Sequence, residues 1–142
     1  MDARLAARMR EAAPGALAAL PVRFAYLFGS QVAGRPRPDS DVDVAVLAEE
    51  DVPQAGYDRL AFRCADALAA ATRIPRIEVT VLNAAPLRFV GRVLRQRVML
   101  CSRDEPARAA YESLMGRMAD DVEVWAAPMD RELLVAIAEG RR

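Results

Sequence analysis

The sequence predicts one α/β (α+β) domain in which a small mixed sheet is flanked by helices. Short stretches of alternating or continuous apolar residues, each long enough for one strand, recur along the chain. Longer segments rich in alanine and leucine lie between them and have the apolar spacing of helices. A length of 142 residues suits a single core, and no repeat or low-complexity linker divides it. We therefore expect residues 1–142 to form one domain.

The first part of the chain predicts a helix followed by a strand. Residues 2–20 have the spacing of an amphipathic helix, and Pro14 with Gly15 should interrupt it because proline lacks a backbone N–H. Residues 22–28 alternate large apolar side chains with other residues, which is typical of a strand. This strand leads directly into Gly29.

The middle of the chain predicts two more strands around a helix. Residues 42–47 are rich in valine and favour the second strand. Residues 53–71 favour a helix, which should end near Pro75 because the residue before a proline avoids the helical conformation. Residues 77–82 favour the third strand, with an apolar face and a more polar face.

The last part of the chain is mainly helical by prediction. Residues 86–96 favour a helix that begins at a proline, and residues 98–101 a short apolar strand. Residues 106–126, again beginning at a proline, and residues 129–139 favour two separate helices.

The composition excludes several kinds of catalytic site. The chain has no histidine, which excludes a Ser-His-Asp triad, a Cys-His pair and any imidazole metal site. All 20 basic residues are arginine, so neither a lysine Schiff base nor a P-loop lysine is available. The remaining chemistry is that of carboxylates, with guanidinium groups to meet phosphate oxygens.

Charge and cysteine content indicate the cellular setting. Arginines and acids balance at 20 each, which gives no indication of direct nucleic-acid or membrane binding. Cys64 and Cys101 show no CxxC spacing, and we expect both to be buried, reduced thiols. No segment has the length of a bilayer span, and we expect a cytoplasmic protein.

Two aspartates in the second strand predict a metal site. Side chains alternate along a strand, so Asp41 and Asp43 share one face about 6.6 Å apart, while the valines between and after them face the core. Two unpaired carboxylates this close repel each other unless a divalent cation lies between them. Magnesium prefers such oxygen ligands and is usually shared with substrate phosphates.

Three further residues complete the candidate site. Glu78 lies on the polar face of the third strand, and it joins the aspartates if that strand neighbours the second. It would then hold a metal and accept the proton of an attacking hydroxyl, a task for which no histidine is present. Gly29 lets the backbone approach a phosphate closely, and Ser30 begins a short run of N–H groups that favours anions.

The glycine–serine pair, the two aspartates ten residues later and the later glutamate resemble the motif of the polymerase β-like nucleotidyltransferases. The compact form and the VLNAAP segment are similar to the minimal nucleotidyltransferase (MNT-domain) antitoxins, which are paired with HEPN-domain toxins. The similarity covers about residues 20–101, and the helical tail of about 104–142 carries no motif. The family usually has aspartate as the third acid, where this chain has Glu78.

The resemblance implies a fold, an activity and a partner. It implies Mg²⁺ at Asp41, Asp43 and Glu78, which are also the catalytic residues, and the triphosphate of ATP at Gly29 and Ser30. The implied reaction transfers AMP to a hydroxyl, usually of tyrosine, on the cognate toxin of a type VII-like toxin–antitoxin pair. Oligomers of the chain alone or with the toxin are both compatible with this function.

Three alternatives stay open at this point. An antitoxin with a vestigial site would neutralise its toxin by binding alone. An aminoglycoside-type adenylyltransferase would use a small acceptor, although such enzymes usually add an acceptor domain. An EF-hand pattern also begins at Asp39, but valine replaces its central glycine and its loop falls in a predicted strand.

Two stripes of side chains on the predicted helices have no assigned role. The basic stripe, which we expect to be mainly solvated, consists of Arg88, Arg92 and Arg95. The apolar stripe, which suits either the core or a docked partner, consists of Leu114, Met118, Val122 and Trp125.

Overall fold

The computed structural model describes residues 3–29 and 41–140. Its elements are α1 (Ala3–Ala16), β1 (Val22–Phe28), β2 (Val42–Ala48), α2 (Tyr57–Thr72), β3 (Ile77–Val81), α3 (Leu87–Gln96), β4 (Val98–Ser102) and α4 (Glu105–Ala138). Short 3-10 turns, Gln54–Gly56 and Leu82–Ala84, come directly before α2 and directly after β3. All four predicted strands are present, and the predicted α/β class is confirmed.

The four strands form one mixed sheet in the order β3-β2-β1-β4. β1 is antiparallel to both of its neighbours, β2 and β4. β2 and β3 are parallel, and α2 makes the crossover between them. β3 and β4 are therefore the edge strands of this sheet.

Helices cover both faces of the sheet. α1 and α2 pack on the face that carries the alternate valines of β2, namely Val42, Val44 and Val46. On the other face, α3 and the first half of α4 pack against the aromatic side chains Phe24, Tyr26 and Phe28. Because β1 and β2 are covered on both sides, nearly all of their residues are buried.

The first helix is shorter than predicted and contains its proline. α1 ends at Ala16, so Pro14 lies in its last turn instead of interrupting it, and residues 17–20 form turns. A proline so close to a helix end removes few hydrogen bonds. The Arg103 guanidinium donates hydrogen bonds to the carbonyl oxygens of Leu17 and Leu20, which holds these turns against the end of β4.

The last helix corrects the prediction of two helices after β4. α4 is one helix of 34 residues, and Pro128 lies inside it. Arg88 of α3 donates two hydrogen bonds to the Glu123 carboxylate and one, at 3.0 Å, to Asp130. Because these acids lie on opposite sides of Pro128, one guanidinium connects the two halves of the helix. Neither α4 nor any other helix of the described residues has an apolar stretch that would cross a membrane.

The crossing of α3 and α4 depends on two small residues. Ala119 is the one buried residue of α4, and a methyl group on Gly91 would lie 2.6 Å from its Cβ. The basic stripe lies beside this crossing and is exposed, as predicted, yet it also forms ion pairs within the chain. Arg95 is 3.9 Å from Asp120, and Arg88 holds the pairs described above.

Candidate active site

The pairing of β2 with β3 places two acids side by side. In the parallel register of these strands, Asp43 is the direct partner of Glu78. Paired residues of neighbouring strands point to the same face, so both carboxylates lie on the face that α3 covers. Glu78 is exposed and Asp43 is half-buried. The predicted neighbourhood of the second and third strands is therefore present.

Gly29 approaches Asp43 from the end of β1. Phe28, the last residue of β1, pairs with Asp43, and Gly29 follows with a φ of +88°. A Cβ at Gly29 would lie 2.1 Å from Asp43 Oδ2, so no larger residue fits there in this conformation. The Gly29 N–H donates a hydrogen bond of 3.2 Å to Gln96 Oε1 at the end of α3. Ser30, the other predicted phosphate contact, lies outside the described residues.

Negative charge accumulates at Asp43. Burial raises the pKa of the Asp43 carboxyl above its usual range, and the charges of Glu78 and Asp41 raise it further. Arg92 lowers this pKa, so its positive charge also acts on the site. A cation bound beside Asp43 would therefore stabilise the ionised form of its carboxyl group.

Asp41 is the remaining acid of the predicted site. Asp41 directly precedes β2 and is exposed, and it acts on Asp43 through charge. Within residues 3–29 and 41–140, no group of three or more His, Cys, Asp or Glu side chains is arranged to hold a metal ion. Asp43 and Glu78 nevertheless offer paired oxygen ligands. They fit Mg²⁺, which proteins commonly bind through one or two carboxylates together with substrate phosphates.

The structure adds residues of α3 that the sequence did not assign to the site. Phe89 packs edge-on against Phe28, with ring centroids 5.6 Å apart, and this contact docks α3 beside the acids. The Arg92 guanidinium carbon lies 5.2 Å from the centre of the Phe89 ring. Gln96 holds Gly29, as described above. Their only signal in the sequence is helical spacing, which does not say which face of α3 meets the site.

The structure also bears on the EF-hand pattern and on the two cysteines. The EF-hand pattern is wrong because Asp43 belongs to a continuous strand and Glu50 lies beyond its other end, 3.7 Å from Arg23. Cys64 is buried, Cys101 is half-buried and both are free thiols, as predicted except for the partial exposure of Cys101.

The sequence matches a known family over most of its length. Residues 17–106 match the family model described as polymerase beta, nucleotidyltransferase. The chain belongs to the polymerase beta nucleotidyltransferase family. This assignment confirms the predicted fold, and the matched segment includes every predicted site residue. No curated protein sequence matches the chain.

Solved structures share the fold of this polymerase beta nucleotidyltransferase domain. A chain from a mutant of the toxin–antitoxin MntA-HpeT has a TM-score of 0.68 at 17% identity, covering 88% of this chain and 98% of that chain. A chain from a tri-AMPylated Shewanella oneidensis HEPN toxin in complex with MNT antitoxin has a TM-score of 0.65 at 17% identity, covering 91% and 98%. A chain from a toxin–antitoxin with AMP-PNP has a TM-score of 0.63 at 20% identity, covering 88% and 98%.

Proposed function

We propose that this chain is a Mg²⁺-dependent nucleotidyltransferase that moves AMP from ATP to a tyrosine hydroxyl of a cognate HEPN-type toxin. It would act in the cytoplasm as the antitoxin of the pair. The observation that carries the proposal is the meeting of Gly29, Asp43 and Glu78 at one end of the sheet in a nucleotidyltransferase-family domain. The names of the similar structures, which include an AMPylated toxin and an ATP analogue, support the donor and the acceptor.

The proposed reaction is a nucleotidyl transfer, which occurs by substitution at the α-phosphorus of ATP. The acceptor oxygen forms a bond to the α-phosphorus of ATP, the bond from that phosphorus to the bridging oxygen breaks, and pyrophosphate leaves. Glu78 accepts the proton of the hydroxyl. Bound Mg²⁺, held by Asp43 and Glu78 with Asp41 nearby, would stabilise the charge on the attacking and leaving oxygens.

Other residues of the site bind and orient the nucleotide. Gly29, which has no side chain, lets the triphosphate approach the acids, and Ser30 would supply N–H and hydroxyl donors. Arg92 supplies the positive charge that α3 brings to the site. We expect it to attract the triphosphate before transfer and to balance the leaving pyrophosphate.

Labelled ATP tests this function directly. The purified chain is incubated with Mg²⁺, labelled ATP and the protein encoded by the neighbouring gene, and the label on a tyrosine of that protein is measured. We expect Asp43→Asn and Glu78→Gln each to reduce labelling by at least about 100-fold. The matched control is Asp66→Asn, which removes an exposed carboxylate of α2. Absence of label with the unmodified chain, whatever the divalent metal, would exclude the proposal.

A binding-only antitoxin is the second candidate. The observation in its favour is that, within the described residues, the three acids do not form a group arranged to hold a metal ion. This candidate predicts that an Asp41→Asn, Asp43→Asn double variant still forms the complex and still protects cells from the toxin. Loss of protection with an intact complex would reject it and favour the enzyme.

A further inference from the structure

Among the described residues, no strand pairs with the outer edge of β3, which lies beside the candidate active site. The Val42 N–H donates a hydrogen bond of 2.7 Å to the Arg76 carbonyl, which fixes the hydrogen-bonding pattern of the parallel pair. In a parallel ladder every second residue bonds to the neighbouring strand. Glu78 and Thr80 therefore bond to β2, and the N–H and C=O groups of the alternate residues face outward. These alternate residues are Ile77, Val79 and Val81.

A groove runs along this edge between α2 and α3. Its volume is about 570 Å³, and β3 residues Val79 to Val81 form its floor. Tyr57 and Ala61 of α2 form one wall, and Phe89 of α3 belongs to the other. Asp58 is the one charged residue among its lining side chains in the described part of the chain. The described lining of the groove is thus mostly apolar and includes no arginine.

The edge also lacks the features that usually prevent strand addition. Edge strands are commonly protected by prolines, by several charged side chains or by a covering element. β3 contains no proline, its one charged residue is Glu78, and no described strand pairs with its outer side.

We propose that an extended segment of the acceptor protein adds to β3 as a fifth strand and presents the hydroxyl to be modified. This inference rests on the proposed function and names how the acceptor binds. An extended backbone satisfies donors and acceptors that repeat every second residue, which neither a helix nor a small acceptor does. No described lining residue is positively charged, Asp58 lines the groove, and Glu78 belongs to the same strand, so the charges favour a neutral or basic segment.

The strand geometry places the acceptor side chain next to the acids. In an added strand, the residue paired with Glu78 points to the same face, with Cβ atoms about 5 Å apart. That is also the face of Asp43. A tyrosine at this position of the segment brings its hydroxyl to the side of the sheet where Glu78 accepts its proton.

A proline at Val79 tests the proposal, because the N–H that it removes faces the groove and not β2. We expect Val79→Pro to raise the KM for the acceptor protein by about tenfold or more, since main-chain hydrogen bonds supply the affinity in this mode. The Kd for ATP with Mg²⁺, measured by calorimetry, should stay unchanged. Val79→Thr is the matched control, because it keeps the N–H and the size of the side chain.

The outcomes separate this proposal from the proposed function. An unmodified chain that fails to label the acceptor rejects the function itself. An unmodified chain that labels it, together with a folded Val79→Pro variant of unchanged KM, rejects strand addition alone.

Hydrogen exchange gives a second test that does not depend on the proline variant folding. The complex of the Asp43→Asn variant with the acceptor protein is compared with the free variant. We expect the amides of Val79 and Val81 to gain protection in the complex, while the amide of Thr80, bonded to β2, is protected in both. A formed complex in which Val79 and Val81 exchange as fast as in the free chain overturns the proposal.

Discussion

At the scale of single residues, the candidate site combines close approach with repulsion between like charges. Asp43 is held between Gly29 on one side and Glu78 on the other. This arrangement is poorly suited to stabilising the fold, because burial and the two neighbouring carboxylates all oppose the ionised form of Asp43. Residues that lower stability while gathering charge are typical of functional sites.

Replacement of Asp43 by the neutral Asn should therefore abolish transfer without unfolding the chain. Asn keeps the shape of the side chain and removes the repulsion from Glu78 and Asp41. We expect the thermal midpoint of Asp43→Asn, measured without metal at neutral pH, to equal or exceed that of the unmodified chain. A clearly lower midpoint would show that the Asp43 carboxylate contributes to folding.

Gly29→Ala should damage both stability and activity. Its φ of +88° is unfavourable for alanine, and its Cβ would meet the Asp43 carboxylate. We expect a loss of about 1–3 kcal/mol in the free energy of unfolding, measured with urea. Gly116→Ala in α4, where a Cβ meets nothing within 4 Å, is the control and should gain about 0.5–1 kcal/mol. Equal effects at the two glycines would contradict the close approach.

The two buried tyrosine hydroxyls should respond in opposite ways to removal. Tyr26 donates a hydrogen bond of 2.8 Å to Glu112, whereas the buried Tyr111 hydroxyl has no hydrogen-bond partner among the residues that the structure describes. Tyr26→Phe should cost about 1 kcal/mol of unfolding free energy, and Tyr111→Phe should be neutral or stabilising by up to about 1 kcal/mol. Urea unfolding of both variants checks this, and a larger loss for Tyr111→Phe would contradict it.

At the scale of elements, α3 connects the site to the rest of the fold. Phe89 packs on β1, Gln96 holds Gly29, and Arg92 brings positive charge to the acids. Its other side packs on α4 through the small pair Gly91 and Ala119. The position of the Arg92 guanidinium beside the acids thus depends on how closely α3 and α4 approach each other.

A double-mutant cycle tests the crossing of α3 and α4. Gly91→Ala alone should destabilise the domain, because its Cβ would lie 2.6 Å from that of Ala119. Combining it with Ala119→Gly restores the space, so we expect a favourable coupling free energy of about 1–2 kcal/mol in urea unfolding. Additive effects of the two changes would show that the methyl groups do not meet.

The continuity of α4 across Pro128 should depend on Arg88. Arg88→Ala removes the guanidinium that connects Glu123 to Asp130, so the turns after Pro128 should fray. Hydrogen exchange of the amides after residue 128 should become faster, while that of residues 107–119 stays unchanged. Arg95→Ala, which removes a longer ion pair to Asp120, is the control and should leave these amides unaffected.

At the scale of the whole molecule, the end of α4 contributes no buried side chain to the domain. The apolar stripe predicted on this helix is largely exposed: Trp125 is 72% exposed and Leu114 49%. No residue between 131 and 138 is buried. The core therefore consists of the sheet, α1 to α3 and the first half of α4.

Removal of residues 131–142 should leave the stability of the domain nearly unchanged. Because these residues add no buried side chain in the part of the chain that the structure describes, we expect the thermal midpoint to change by less than about 2 °C. Scanning calorimetry of the shortened chain, which retains Asp130 and its contact to Arg88, checks this. A large drop would mean that the end of α4 packs on the domain.

Much of the fold was predictable because its signals are local. Alternation located β1 and β2, and the prolines located the starts of α3 and α4. The prediction of separate helices over 106–126 and 129–139 is wrong, because α4 continues through Pro128, where Arg88, 40 residues earlier in the chain, contacts Asp130.

The sequence by itself determined the chemistry available to this protein: carboxylates and arginines without histidine or lysine, a glycine before the acids, and the strands that carry them. Only the tertiary structure decided the register that sets Glu78 beside Asp43, the face of α3 that turns Arg92 toward them, and the position of β3 at the edge of the described sheet. The physical reason is range. Residue type and side-chain alternation are properties of a few consecutive residues, whereas register and exposure depend on packing between residues far apart in the chain.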